Sequence, residues 1–330
     1  MLPSDLPPGG YQLTLRLYDP ATGVPIETTS GPDATLASFA LAAAPHAPDP
    51  ASLQMGDQMD VALDGGLRLL GSDTTPASLR VGREGTLSLW WRVDEKPLRA
   101  SQIRIQILDR RGDPILEELQ PLSPLAPDGP DWEEGQIVRE RYPLAIDPAA
   151  ASGRYRLGVA LADPTGALLG EPRIVAAVQV EARPRSYRLP QMAHKLDVRL
   201  GDAVSLQGFD LAATEPPGKD LHLTLYWQAT GRVHGHYKVF VHVLNETGDI
   251  ATQSDAIPAA GDTPTDTWLP NEVVIDGHTL EVPQPGRYRL FVGMYDPASG
   301  QRLTATGEDG LPIPDNAVLI EEIVIAVTGS

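Results

Sequence analysis

Through much of the chain apolar residues return at every second position, the period of a strand with one buried face. In the segment 288–294, Tyr288, Leu290, Val292 and Met294 alternate with Arg289, Phe291 and Gly293. In 221–227, Leu221, Leu223, Leu225 and Trp227 take one face, leaving His222, Thr224 and Tyr226 on the other. The first of these runs closes on Asp-Pro-x-Ser/Thr-Gly, where Asp caps a turn, Pro presets φ and Gly takes the left-handed position. In the last third of the chain the pattern predicts strands over 203–209, 220–229, 236–245, 249–254, 272–276, 278–282, 286–296, 301–305 and 317–327.

Self-comparison organises these strands. One phrase occurs three times, from Pro8 to Gly23, from Ser152 to Gly166 and from Pro285 to Gly300, each a Gly-x-Tyr entry, a strand and an Asp-Pro turn. The last two copies extend upstream: Trp91 matches Trp227, Leu108 matches Leu244, Gly112 matches Gly248, and Trp132 matches Trp268. Gly71 similarly matches Gly208. Two complete repeats follow, 52–183 and 187–330, after a partial one over 1–48, with Pro45–Pro50 and Arg183–Ser186 reading as linkers. Residues 1–44 supply only the closing hairpin of a sandwich, ending in a strand over 34–42. A truncated sandwich cannot bury its own apolar face, so the segment is expected to pack on a neighbour, on another chain through self-association, or on further sequence, the last being favoured. The fold class is all-β, with tandem antiparallel β-sandwiches of Ig-like or jelly-roll order and minimal helix.

Composition narrows the function. Glycine and proline number 31 and 32, too many for a helical bundle, while 42% hydrophobic against 21% charged residues excludes a disordered chain. A net charge of −18 with scattered cations opposes nucleic acid, which needs a positive footprint. The absence of cysteine removes disulfides, thiolate nucleophiles and Cys-ligated zinc together. The most apolar stretches, near 34–44 and 318–327, are too short for a membrane span, which needs about 20 residues. The N-terminus has neither the basic region nor the apolar core of a signal peptide, so an export signal would lie outside this chain.

Candidate chemistry is sparse. Trp91 and Trp227 point to the core. Trp90 and Tyr226 share the opposite face in the two repeats and are candidates for stacking on a glycan ring, against the alternative that a loop or the adjacent domain covers them. Trp132 and Trp268 stand in Pro- and Asp-rich loops, as ligand anchors or as plugs for the sandwich end. Asp19, Asp163 and Asp296 raise a calcium reading, but each is alone in its turn, which favours capping. His222, His234, His236 and His242 cluster in sequence, yet zinc needs three or four converging ligands, and the first full repeat carries Ala100 and Gln106 at the positions of His236 and His242. No nucleophile elbow, phosphate loop or His-Glu-x-x-His occurs, so no metal, no cofactor and no catalytic residue is expected.

The phrases Gly-Phe-Asp-Leu, Leu-Thr-Leu-Tyr-Trp-Gln-Ala, Tyr-Lys-Val-Phe-Val-His-Val-Leu, Trp-Leu-Pro-Asn-Glu and Pro-Gly-Arg-Tyr-Arg-Leu-Phe-Val-Gly-Met-Tyr-Asp-Pro resemble a known group. It is the soluble β-sandwich region that follows the multi-helix membrane part of large bacterial glycosyltransferase-like proteins of Chloroflexi and cyanobacterial type. The resemblance covers 193–327 well, 56–182 more loosely and 8–44 as a fragment. The middle repeat departs from the pattern, with Ala162 in place of the Tyr of Tyr-Asp-Pro and Arg139 read opposite Asp276. The resemblance implies an extracytoplasmic, non-catalytic accessory or spacer module at the cell surface, with glycans or envelope proteins as partners. The alternatives are a structural or adhesive filament protein that pairs strands between molecules, and a divergent glycoside-active enzyme.

Overall fold

A computed structural model describes residues 5–17, 33–42, 47–96, 98–213, 220–281 and 285–325. Among them every regular element is a strand or a single turn of 3₁₀-helix. The chain divides into two compact units, 1–181 and 182–330.

The first unit opens with a hairpin of β1 (Gly9–Leu15) and β2 (Ala34–Leu41), which form a two-stranded sheet of their own. Its sandwich follows. One sheet has the order β3-β4-β6-β9, from β3 (Asp57–Leu63), β4 (Leu67–Thr75), β6 (Gly85–Val93) and β9 (Ile137–Leu144). The other contains β5 (Ser78–Arg80), β7 (Gln102–Leu108), β8 (Pro114–Pro121), β10 (Gly153–Ala162) and β11 (Arg173–Glu181), in the order β5-β11-β10-β7-β8. All pairings are antiparallel except β5 with β11.

The second unit repeats the plan. Strands β12 (His194–Leu200), β13 (Val204–Ala213), β14 (Asp220–Ala229) and β17 (Val273–Glu281) form one sheet, to whose β12 edge β19 (Ala305–Thr306) is added. Strands β15 (Lys238–Leu244), β16 (Ile250–Ala256), β18 (Gly286–Tyr295) and β20 (Val318–Ile325) form the other, in the order β16-β15-β18-β20. In both units a meander of three strands is followed by a hairpin in the second sheet. The chain then returns beside the third strand of the meander, and a last hairpin closes the second sheet. This is the sheet-switching order of immunoglobulin-like sandwiches, which resolves the choice left open between that order and a jelly roll.

The alternation seen in the sequence becomes the core. Leu223, Leu225 and Trp227 of β14 meet Val239, Val241 and Val243 of β15 and Leu290, Val292 and Met294 of β18, all buried in one cluster. Two differences from the sequence pattern have local causes. Strand β12 went unrecognised because a bulge between Lys195 and Val198 breaks its alternation. Strand β17 runs unbroken through Gly277, which sits on the open face with nothing near its Cβ position, so the glycine does not divide it. Residues 183–186, which read as a linker, belong to the second unit: Ser186 bridges Val273.

Candidate functional site

The two residues proposed for glycan stacking are covered. Trp90 is only 2% exposed and packs with Leu53, Leu70 and Ile137. Its indole Nε1 donates to Asp5 Oδ2 at 2.7 Å, the Arg139 guanidinium lies 5.6 Å from the ring centroid, and the Arg139 backbone N–H donates to Asp5 O at 2.7 Å. Tyr226 is 7% exposed, and its hydroxyl donates to Asp210 Oδ2 at 2.6 Å. The cause is a feature common to both repeats. Gly71 lies opposite Trp90 and Gly208 opposite Tyr226, each beside a bulge in the ladder. A Cβ at either glycine would stand 2.4 Å from a methionine sulfur, that of Met55 or Met192. The glycine thus lets the incoming segment lie directly on the sheet face that the alternation left outside. The segment that carries Met55 shelters Trp90, and Asp5 closes over it.

Trp132 and Trp268 are buried as well, and Trp268 joins the main core of the second unit while its Nε1 donates to Thr263 O at 2.9 Å. Asp163 and Asp296 cap their own turns. Asp163 Oδ1 accepts from the Thr165 hydroxyl and from the backbone N–H groups of Thr165 and Ala167, and Asp296 Oδ1 accepts from the backbone N–H of Ala298, which holds both carboxyls below the usual carboxylate range. Asp19 lies outside the described residues. The histidines do not converge: His222 reaches Thr279, His236 faces Asp266, and His242 lies tilted against Phe240 with ring centroids 4.8 Å apart, where burial pushes its pKa down. Among the described residues no three His, Cys, Asp or Glu side chains are grouped to hold a metal ion.

The polar constellation that the structure does assemble lies between the sheets, at the edge where β16 approaches β17. Asp276 and His278 point inward from β17 with Val274 and Leu280. His278 Nε2 lies 3.0 Å from Asp276 Oδ2, and its Nδ1 lies 3.0 Å from Ser254 Oγ on β16. Asp276 also accepts from Trp227 Nε1 at 3.2 Å and from the Ala259 backbone N–H at 2.8 Å. Hydroxyl, imidazole and carboxylate therefore form one hydrogen-bonded chain.

The first unit builds the same position with other groups. Leu89 faces Glu140 as Leu225 faces Asp276, and Leu87 faces Tyr142 as Leu223 faces His278. The register thus makes Glu140, not Arg139, the counterpart of Asp276, which corrects the alignment drawn from sequence. The usable signal was spacing, since each acid follows its core tryptophan, Trp91 or Trp227, by the same number of residues. Glu140 is 3% exposed and accepts from Ser123 Oγ at 2.6 Å, while the Tyr142 hydroxyl donates to Leu122 O. Trp91 Nε1, unlike Trp227 Nε1, makes no hydrogen bond to the acid. With a single donor set against its burial, the Glu140 carboxyl is pushed up to about 7.

Among the described residues no helix is long and apolar enough to cross a membrane. No protein-family model and no curated protein matches the chain. Solved structures do. A glycosyl hydrolase family 2 member from Bacteroides cellulosilyticus aligns over 92% of this chain with 8% identity and a TM-score of 0.20. The chain spans about a third of that protein, 34% of its length. The C-terminal domain of the AgI/II polypeptide BspA from Streptococcus agalactiae aligns over 70% of this chain and 94% of its own, with 10% identity and a TM-score of 0.18. Both are distant likenesses between bacterial β-rich proteins, and neither bears on ligand or partner.

Proposed function

We propose that the chain is a non-catalytic spacer or accessory module of a larger bacterial envelope protein, displayed outside the cytoplasm. One observation carries this reading: the same sandwich is built twice, and the residues the repeats share act as core and turn caps. The Asp276–His278–Ser254 chain fits it, because the acid and the imidazole are buried and their hydrogen bonds tie β16 of one sheet to β17 of the other. Glu140 with Ser123 does related work in the first unit. Protease accessibility of the protein on intact source cells, with a panel of polysaccharides offered as substrates, tests the proposal. Surface cleavage without sugar release is the expected result. Retention in the cytosol, or release of reducing sugar that Ser254→Ala or Glu140→Gln abolishes, would overturn it.

A further inference from the structure

A different feature points beyond the spacer role. The two repeats share their core but not the outer face of their second sheet. On β18, Arg287, Arg289, Phe291 and Tyr295 alternate with the inward Tyr288, Leu290, Val292 and Met294, so they stand on that face. His242 of β15 lies opposite Phe291, and Phe240 lies opposite Gly293. At the matching positions the first unit has Gly158 for Phe291, Ala162 for Tyr295, Gln106 for His242 and Arg104 for Phe240. The second sandwich therefore carries rings where its twin carries none, and the twin folds without them. Phe291, Tyr295 and His242 are half-buried, whereas Arg287 and Arg289 are exposed.

The rings are held in place by their neighbours. A Cβ at Gly293 would stand 2.5 Å from the Phe240 ring, so the glycine lets that ring lie against the strand as a floor. The Arg302 guanidinium lies 4.4 Å from the Phe240 centroid and donates to Asp315 O at 3.0 Å. Asp315 and Asn316 both take left-handed backbone there, with φ of 54° and 52°. The centroids of His242 and Tyr295 lie 4.8 Å and 6.5 Å from that of Phe240. The Arg289 guanidinium lies 5.8 Å from the Phe291 centroid. Toward the start of β18, Arg287 and Arg289 line a groove of about 310 Å³ with Asn245, Glu246, Glu322 and Val324.

Charge and ring chemistry select the ligand. Four cations, Lys238, Arg287, Arg289 and Arg302, share this face with three carboxylates, Glu246, Asp255 and Glu322, whereas over the whole chain 44 acids outnumber 26 bases. Guanidiniums take carboxylates in a two-pronged geometry, rings take flat apolar faces, and carboxylates need hydroxyl or amide donors. A nucleic-acid strand satisfies the first two but meets the three carboxylates with its own negative charge. A sugar acid offers all three partners: a carboxylate, a C–H ring face and hydroxyl donors. At about 3.3 Å per residue, Arg287 to Tyr295 spans about 26 Å, which suits a polymer rather than a single sugar. We infer that the outer face of the β16-β15-β18-β20 sheet binds a polyuronate, an acidic polysaccharide, with Arg287 and Arg289 on its carboxylates and Phe291, His242 and Tyr295 against its rings. The binding needs no larger envelope protein, so it stands or falls apart from the spacer role.

The test is calorimetric titration of the 1–330 chain with calcium-free alginate in low salt, with dextran and single-stranded DNA as the other arms. Saturable binding of alginate alone is expected. It should weaken at least about tenfold in Arg289→Gln and in Phe291→Ala, and stay unchanged in Arg156→Gln, the matching arginine of the first unit. Arg289 is exposed, so Arg289→Gln leaves the second unit folded. Three results would overturn the inference: no binding of alginate, dextran or DNA bound as tightly as alginate, or full binding retained in Arg289→Gln.

Discussion

Replacing Glu140 with glutamine should abolish a pH dependence that the native first unit carries. The carboxyl ordinarily titrates near 4.5, but burial raises it to about 7 in the folded unit. Between those values the folded unit holds a proton that the unfolded chain has released. The stabilisation is thus fully present below pH 4.5 and is lost as pH rises through 7. At roughly 1.4 kcal/mol per pH unit, the loss between pH 4.5 and 8 is about 3 kcal/mol. For a domain of this size that is about 10 °C in Tm. Burial of His242 works in the opposite direction. Its pKa is lowered, so the second unit loses stability as pH falls below the ordinary value of 6.5 and regains it as pH rises. Calorimetry of the whole chain between pH 4.5 and 8 should show two transitions that move in opposite senses. In Glu140→Gln the first transition should stay level, matching the native protein at pH 4.5 and exceeding it at pH 8. A native first transition that does not fall with pH, or a variant that falls as steeply, would refute the argument.

The remaining predictions concern packing and paired charges. Leu290→Ala, at a fully buried position, should cost about 3 kcal/mol in denaturant unfolding of the second unit. The equivalent Leu13→Ala in the exposed hairpin should cost less than about 0.5 kcal/mol; equal costs would show that Leu13 is buried in solution. His278→Ala should destabilise the second unit by about 2–4 kcal/mol, because Asp276 and Ser254 both lose a buried partner. Neither the native chain nor this variant should hydrolyse an aryl ester faster than buffer does, and a native burst lost in Ser254→Ala would show that the chain of groups is reactive. Glu272→Gln, which strips the carboxylate from between Arg183 and Arg185, should cost about 3 kcal/mol, little changed by salt, when followed by urea unfolding.

Much of the fold is legible in the chain because the repeat turns weak strand signals into matched pairs. Alternation finds β14, β15 and β18 with their inward residues, since nothing interrupts their two-residue period. It fails at β12, where a bulge shifts the phase. It also misassigns the outer face, because alternation separates the two faces of a sheet without saying what lies on them. Trp90 and Tyr226 are rightly placed opposite the core, yet Gly71 and Gly208 admit the segments of Met55 and Met192 onto that face. Asp276 and His278 escape notice for the converse reason: on an inward-facing register a polar residue looks like noise in the hydrophobic pattern. Only the partners brought in from β16 and β14 show the position to be fully hydrogen-bonded.

The clasp of Arg183 and Arg185 on Glu272 redraws the border of the second sandwich. Glu272 is completely buried just ahead of β17, far along the chain from the two arginines that neutralise it. A fragment cut at 187, where the repeat itself begins, would hold that carboxylate in the interior with neither cation. The smallest self-sufficient piece therefore starts before Arg183, and the boundary is set by charge balance rather than by the first strand. Recombining such modules, in evolution or at the bench, should succeed only when the short segment ahead of each sandwich travels with it.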